Sequence, residues 1–236
     1  VGRFRSIRWT IIALFVGATV LNYLSRAILG VAAPSIMAEQ HISTAQYSWV
    51  TGAFQVGIMF QPLCGYVLDV IGLKMGFALF VAAWSLLTMA HGLANGWLGF
   101  AGIRGFLGLA EGAAQPAGMK VVAEWFPARE RGIAGGIYNI GASFGAVLAP
   151  PFVAWSIYEG DWRLAFLITG AAGLIWLGAW MFWYAPPYKQ RATGEQEREL
   201  IRSGQEARLA SGGSKPLLGR LLRRRELWAI ASARFL

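Results

Sequence analysis

Three ionisable residues stand in stretches that are otherwise too apolar for them. Arg26 lies within TVLNYLSRAILGVAAP, and Arg104 and Glu111 lie within GIRGFLGLAEGAAQPAG. An arginine at the centre of a bilayer-spanning helix costs about 2.5–3.5 kcal/mol on insertion scales and more in simulations. Such groups are therefore expected to face inward, toward protein or a water-filled cavity. Arg104 and Glu111 are two helical turns apart, on one face, at roughly 10 Å along the axis. That is too far for an unstrained pair within the helix. The chemistry available is specific. A guanidinium stays protonated and offers a planar donor fork suited to a carboxylate. A buried glutamate is the group that can gain and lose a proton. An anion bound at the arginines would loosen their hold on Glu111 and favour its protonation, and the coupling is reciprocal. A purely structural buried ion pair is the alternative reading of the same three residues. Asn22, Tyr23, Gln55, Gln61, Gln115, Tyr138, Asn139 and Ser143 could hydrogen-bond a polyhydroxylated ligand, and each could equally serve helix packing.

The elements that would hold these groups are apolar spans. The chain has 236 residues, 56% hydrophobic and 14% charged, where a soluble domain carries about 25% charge. Six stretches are long enough to cross a bilayer, at about 20 residues each: Thr10–Ile36, Gln46–Leu68, Gly72–His91, Gly96–Val122, Gly132–Tyr158 and Trp162–Tyr184. The fold class expected is all-α, a polytopic membrane bundle of six helices. Ser43 with Gln46 forms a capping-box pattern before the second span. Asp161 stands where an N-cap would open the sixth. Pro127 ends the stretch after the fourth, and Pro186–Pro187 marks a stop beyond the sixth. Tryptophan and tyrosine near the span ends read as interface anchors. In the fifth span Gly132, Gly136, Gly141, Gly145 and Ala149 form a small-residue stripe suited to close helix packing, and Pro150 and Pro151 should bend the helix.

The net charge of +9 is not a nucleic-acid footprint, because the basic residues flank apolar spans instead of forming a stripe among polar ones. Arg3, Arg5 and Arg8, the connection at Lys120, Arg129 and Arg131, and the basic tail all fall on one side, which the positive-inside rule makes cytoplasmic. His41 and His91 fall at the opposite edge and read as surface histidines. Cys64 is the single cysteine, which excludes a disulfide framework, and no metal-ligand spacing, catalytic triad or phosphate loop is present. No cofactor is expected. The domains read as a cytoplasmic arm (1–9), a six-helix bundle (10–184), a cytoplasmic loop (185–225) whose Arg223–Arg225 cluster suits anionic headgroups, and a truncated seventh span (226–236). Both ends look cut.

Two sets of residues carry a resemblance. GYVLDVIGLK, with Gly65, Asp69, Gly72 and Lys74, resembles the cytoplasmic gating-loop motif of the major facilitator superfamily, with Val70 where an Arg is usual. NYLSRAILGVAAP, RGFLGLAEGAAQPAG, EWFPARERGIAGG and GASFGAVLAPPFVAW resemble the anion:cation symporter family, and within it the hexuronate transporters. The resemblance covers essentially the whole chain. It implies the N-terminal half of a twelve-span transporter, monomeric when complete, in a bacterial inner membrane, taking up glucuronate or galacturonate with a proton. Galactonate, glucarate and aromatic acids are the alternative anions. By position, Arg26 resembles the arginine that engages the substrate acid group, Arg104 the arginine beside the cavity, and Glu111 the coupling carboxylate. Ser25 stands where galactonate-type relatives often have Asp, which points away from a two-carboxylate scheme. Gly57 replaces a common tyrosine. A contrasting expectation is that this chain alone is a non-transporting half or scaffold, since a cavity between two halves needs both.

Overall fold

Two prolines account for the least regular part of the architecture. Proline lacks the N–H that would bond the carbonyl four residues earlier, and its ring clashes with that carbonyl. Pro62 does this to Ile58, and Pro116 to Gly112. The computed structural model, which describes residues 6–190 and 193–203, breaks its helices at both places. α2 (Thr44–Met59) stops at Phe60, and α3 (Gln61–Ile71) resumes with a 42° bend. α5 (Gly96–Glu111) stops at Gly112, and α6 (Ala114–Trp125) resumes two residues later. Each proline thereby falls in the first turn of the new helix, where a missing N–H is harmless. The remaining helices are α1 (Ile7–Glu39), α4 (Leu73–Ala90), α7 (Arg131–Tyr158), α8 (Arg163–Trp183) and α9 (Glu195–Ser203).

The six expected spans correspond to α1, α2–α3, α4, α5–α6, α7 and α8. Four of these, α1, α4, α7 and α8, are each apolar and long enough to cross a bilayer when the adjoining turns are counted, and the bent α2–α3 pair makes a fifth. The α5–α6 stretch does not meet that measure, because it is interrupted and carries Arg104, Glu111, Lys120 and Glu124. Its two charges nearest the middle are turned inward: Arg104 is 3% exposed and Glu111 is fully buried. Among the described residues the fold is all helical.

Three helix pairs form the frame, α1 with α7, α2 with α5 and α4 with α8, and each closes on glycine. A Cβ on Gly145 would lie 2.4 Å from the Val20 carbonyl oxygen of α1. One on Gly57 would lie 2.2 Å from the Gly105 oxygen, and one on Gly108 2.2 Å from the Phe54 oxygen. Gly170 and Gly173 meet Ser85 in the same way. Without a hydrophobic drive between helices in lipid, such backbone proximity supplies the packing and weak contacts that hold them. The expected five-residue stripe divides: Gly141, Gly145 and Ala149 are buried, with both glycines against α1, while Gly132 and Gly136 meet nothing. Gly145→Ala should therefore destabilise the bundle by about 1–3 kcal/mol, with Gly136→Ala near neutral; thermal unfolding in detergent compares the two. Pro150 and Pro151 lie inside α7, which runs on through them.

Local signals at the ends resolve as follows. Ser43 and Gln46 form the full capping box, with Ser43 Oγ accepting from the Gln46 N–H and Gln46 Oε1 accepting from the Ser43 N–H. Asp161 Oδ1 accepts from the Arg163 N–H at 2.8 Å, so it caps α8 although Trp162 is the boundary residue. Glu197 of α9 caps α1 across the chain, accepting from the Ile7 and Arg8 N–H groups at 3.2 and 3.1 Å. A carboxylate there complements the positive end of the helix dipole. One expectation fails and another divides. His91 is not a surface residue: it is fully buried, stacked on Phe166 at 4.8 Å, with Nδ1 bonded to the Leu87 carbonyl. The aromatic residues ending the sixth span divide: Phe182 and Trp183 are exposed, whereas Trp180 and Tyr184 are fully buried core residues. Trp176 and Trp180 donate to the Leu14 and Lys74 carbonyls, and Tyr184 stacks on Trp180. Their indole N–H groups find partners inside the bundle, so burial costs little. The loop 204–225, the segment 226–236 and the first five residues, with Arg3, Arg5 and Arg223–Arg225, lie outside the described residues.

Candidate functional site

The apolar core is in two parts. One gathers Phe15, Phe77, Trp180 and Tyr184, and the other Ile28, Phe100, Trp162 and Phe166. The chain passes between them twice with polar residues, at Asn22–Arg26 on α1 and at Arg104–Glu111 on α5. Between these levels lies a cavity of about 110 Å³. Its walls come from α1 (Thr19, Asn22, Tyr23, Arg26), α7 (Tyr138) and both proline breaks: Ile58 and Gln61 flank the first, and Glu111, Gly112, Ala114 and Gln115 surround the second. Irregular backbone at membrane depth is tolerated where it lines a cavity or is buried in protein. The two prolines thus shape the site as well as the fold.

Arg26 and Glu111 form its central contact. Arg26 Nε donates to Glu111 Oε2 at 2.8 Å. Arg26 Nη2 reaches the Glu111 backbone carbonyl at 3.4 Å, where a cation also meets the negative end of α5. The Glu111 side chain is fully buried, whereas 27% of the Arg26 side chain remains exposed. The guanidinium lies over Tyr23 at 4.9 Å and over Phe54 at 5.6 Å, within range of a cation–π attraction. Glu111 is thus held by an arginine 85 residues away in sequence and not by Arg104 on its own helix.

Arg104 also lies over Phe54, with its guanidinium carbon 5.4 Å from the ring centroid. It does not line the cavity, and its Nε and Nη2 are buried without a hydrogen-bond partner. Asn22 is fully buried, lines the cavity, and leaves both amide atoms unpartnered. Tyr23 and Gln115 line it as well, together with Gln61 and Tyr138. Gln55, Asn139 and Ser143 do not: all three are exposed, and Asn139 Nδ2 donates to the Gly135 carbonyl of its own helix. Gly57 is buried in the α2–α5 contact, so a tyrosine there would force these helices apart on this backbone. Thr19 escaped the sequence reading, although 19, 22, 23 and 26 fall on one helical face and the spacing could have found it.

At the other end of α3 the loop residues are brought together. Lys120 of α6 is ion-paired with Asp69, tying α3 to α6 below the second break. Gly72 has φ +93°, the left-handed region that a glycine enters without strain. Gly65 approaches Pro116, with 3.5 Å between its notional Cβ and the proline ring. The Lys74 carbonyl accepts from Trp180, while Val70, in the place of the usual arginine, is exposed. Among the described residues no cluster of three His, Cys, Asp or Glu side chains could hold a metal ion.

Comparison with known proteins gives a consistent picture. The chain is 45% identical to a galacturonate transporter of Dickeya chrysanthemi over 99% of its own length and 68% of that protein. It is equally identical to the hexuronate transporter of Escherichia coli K12, over 99% of its length and 55% of that protein. It therefore spans about half to two thirds of these relatives. Among solved structures, a bacterial homologue of the human lysosomal transporter Spinster superposes with a TM-score of 0.67 at 22% identity, covering 81% of this chain and 47% of that one. At that identity the likeness speaks for the fold. The family model of the Major Facilitator Superfamily matches residues 15–236, and the chain belongs to that superfamily.

Proposed function

We propose that this chain is the N-terminal half of a proton-coupled sugar-acid transporter that takes up a hexuronate, glucuronate or galacturonate, by alternating access. One observation carries the reading: a fully buried carboxylate paired at 2.8 Å with a partly exposed arginine at a polar cavity. A substrate carboxylate can compete with Glu111 for the Arg26 fork, and a proton on Glu111 releases that fork. Each event thereby favours the other. Asn22, Tyr23, Gln61 and Gln115 offer donors and acceptors for hydroxyl groups beside it. Gln55 and Asn139 are exposed, and are assigned to contacts with substrate or with the other half.

The names of the relatives support the uronate assignment over galactonate, glucarate or aromatic acids. The coupling ion is the proton, with no cofactor. The basic segments at Arg8 and at Lys120–Arg131 support a cytoplasmic N-terminus in a bacterial inner membrane, and Gly65, Asp69, Gly72 and Lys74 are assigned to gating on that side. The test is an uptake panel of uronates, aldonates, aldarates and aromatic acids on the complete transporter, with and without an imposed pH gradient. Uronates should compete best and accumulate with the gradient; accumulation indifferent to it would refute coupling. The chain alone should not transport, because its cavity has walls from one half, and a parallel assay of the 236-residue chain measures this.

A further inference from the structure

α1 offers the cavity a graded set of polar functions. Thr19, Asn22 and Arg26 line it from one face of the helix, each about one turn from the next. At one end Arg26 Nε is bonded to Glu111, and a guanidinium presents donors only. At the other end Thr19 Oγ1 donates its proton to the Phe15 carbonyl at 3.2 Å, so toward the cavity it can only accept. Asn22 lies between them and carries both functions, with Oδ1 to accept and Nδ2 to donate. It is fully buried, and neither amide atom is bonded by any of the described residues. Buried side-chain amides are as a rule bonded within the protein, and one left unbonded costs stability. Asn139, on α7, shows the ordinary solution, with Nδ2 donating to the Gly135 carbonyl of its own helix. Asn22 keeps both atoms for the cavity.

We infer that Asn22 is a specificity-determining residue that reads two adjacent hydroxyls of the sugar acid, one donating to Oδ1 and the other accepting from Nδ2. The two functions of a carboxamide leave one planar group side by side. A vicinal diol matches them, whereas a single hydroxyl cannot lie in line with both atoms. With its carboxylate at Arg26, the ligand lies along α1 and its hydroxyls run past Asn22 toward Thr19. The Asn22 level is about 6 Å from that of Arg26 along the helix axis, which places the pair on the ring and away from the carboxyl group. An aromatic acid brings no such pair to this position. The inference rests on the uronate reading of the cavity and adds to it the group that separates a polyhydroxylated acid from an aromatic or deoxygenated one. A ligand that displaces water from the amide without replacing its hydrogen bonds loses affinity. Sites built to hydrogen-bond a hydroxyl therefore reject the analogue that lacks it.

The test is equilibrium competition by uronate analogues that lack one ring hydroxyl at a time, on the purified complete transporter, as wild type and as Asn22→Leu. Leucine nearly keeps the size of the side chain and removes both polar atoms. In the wild type, loss of either hydroxyl of one adjacent pair should weaken binding about ten- to hundredfold, the worth of a buried group left unbonded. Asn22→Leu should weaken the parent uronate by a similar factor and abolish the penalty at that same pair, because residue and hydroxyls are coupled. Penalties at the other positions should persist. Asn22→Ala serves as the second variant if the leucine does not fold, and the wild-type series is decisive without either. If fewer than two adjacent positions carry a penalty, or if the penalties survive unchanged in the variant, Asn22 does not read the sugar, and uronate binding itself still stands. If uronates fail to compete in the wild type while aromatic acids succeed, the uronate reading fails and this inference falls with it.

Discussion

A Glu111→Gln transporter is expected to exchange uronate across the membrane but to lose uphill accumulation. The amide keeps the shape of the side chain and an oxygen for the Arg26 N–H, but it neither takes up nor releases a proton over the working pH range. Because the native carboxylate is fully buried and its Oε2 is bonded to Arg26 at 2.8 Å, it restrains that arginine whenever it is ionised. Glutamine holds the arginine in the loosened condition permanently. Substrate binding and counterflow should then persist in part and become insensitive to pH. Coupling free energies of this kind are typically about 1–3 kcal/mol, so the wild-type substrate affinity should vary by roughly one to two orders of magnitude across the protonation of Glu111, and that variation should vanish in the variant. The measurement is accumulation ratio and counterflow in vesicles, with and without an imposed gradient. Gradient-driven accumulation at the wild-type level would remove Glu111 from the mechanism.

Much of this arrangement is legible in the amino-acid sequence, for a reason that differs from residue to residue. The spans can be read because hydrocarbon leaves a helix few alternatives, and α1, α4, α7 and α8 fall where apolar length places them. The inward direction of Arg104 and Glu111 follows from the cost of charge in lipid. What a single chain cannot display is partnership across it. The seven-residue spacing directs attention to Arg104 as the companion of Glu111, whereas the bonded partner is Arg26, 85 residues away. The Asp69–Lys120 pair is invisible for the same reason. His91 shows how position misleads: a histidine at a span end suggests solvent, yet α8 brings Phe166 over its ring. Gly57 and Gly108 are two glycines among 30, and only the crossing of α2 and α5 distinguishes them from glycines that touch nothing.

The two broken helices connect fold to mechanism. An unbroken helix would carry Gln61 and Gln115 past the cavity as part of a regular face. The helices stop at Phe60 and at Gly112, the first break with a 42° bend, and the first residues of α3 and α6, Gln61, Ala114 and Gln115, line the cavity with Arg26 and Glu111. The same breaks place the Asp69–Lys120 tie on the two resumed segments, α3 and α6. A rearrangement around either break would therefore reach the site and the loop motif together. Such discontinuities are where transporter folds build substrate sites.

Arg26→Ala is expected to have the other large effect, on affinity for the acid. The Arg26 side chain is 27% exposed at the cavity, whereas Arg104 is 3% exposed and outside it. A substrate carboxylate can reach the first and not the second without a change of shape. Loss of a charge-assisted bidentate contact costs about 2–5 kcal/mol, so the dissociation constant for a uronate should rise by roughly 30-fold to several thousandfold. Arg26→Lys keeps the charge but not the planar fork, and should fall between, at about tenfold weaker than wild type. Arg104→Lys should weaken binding less than Arg26→Lys. Truncating Arg26 also leaves Glu111 buried without its cation, which is itself destabilising. The double variant Arg26→Ala with Glu111→Gln separates the two consequences: it should recover thermal stability relative to Arg26→Ala while uronate affinity stays low. Calorimetric titration and thermal unfolding of the purified complete transporter provide both readings. Recovery of affinity in the double variant would mean that Arg26 serves Glu111 alone, and the substrate carboxylate would then have to be bound elsewhere.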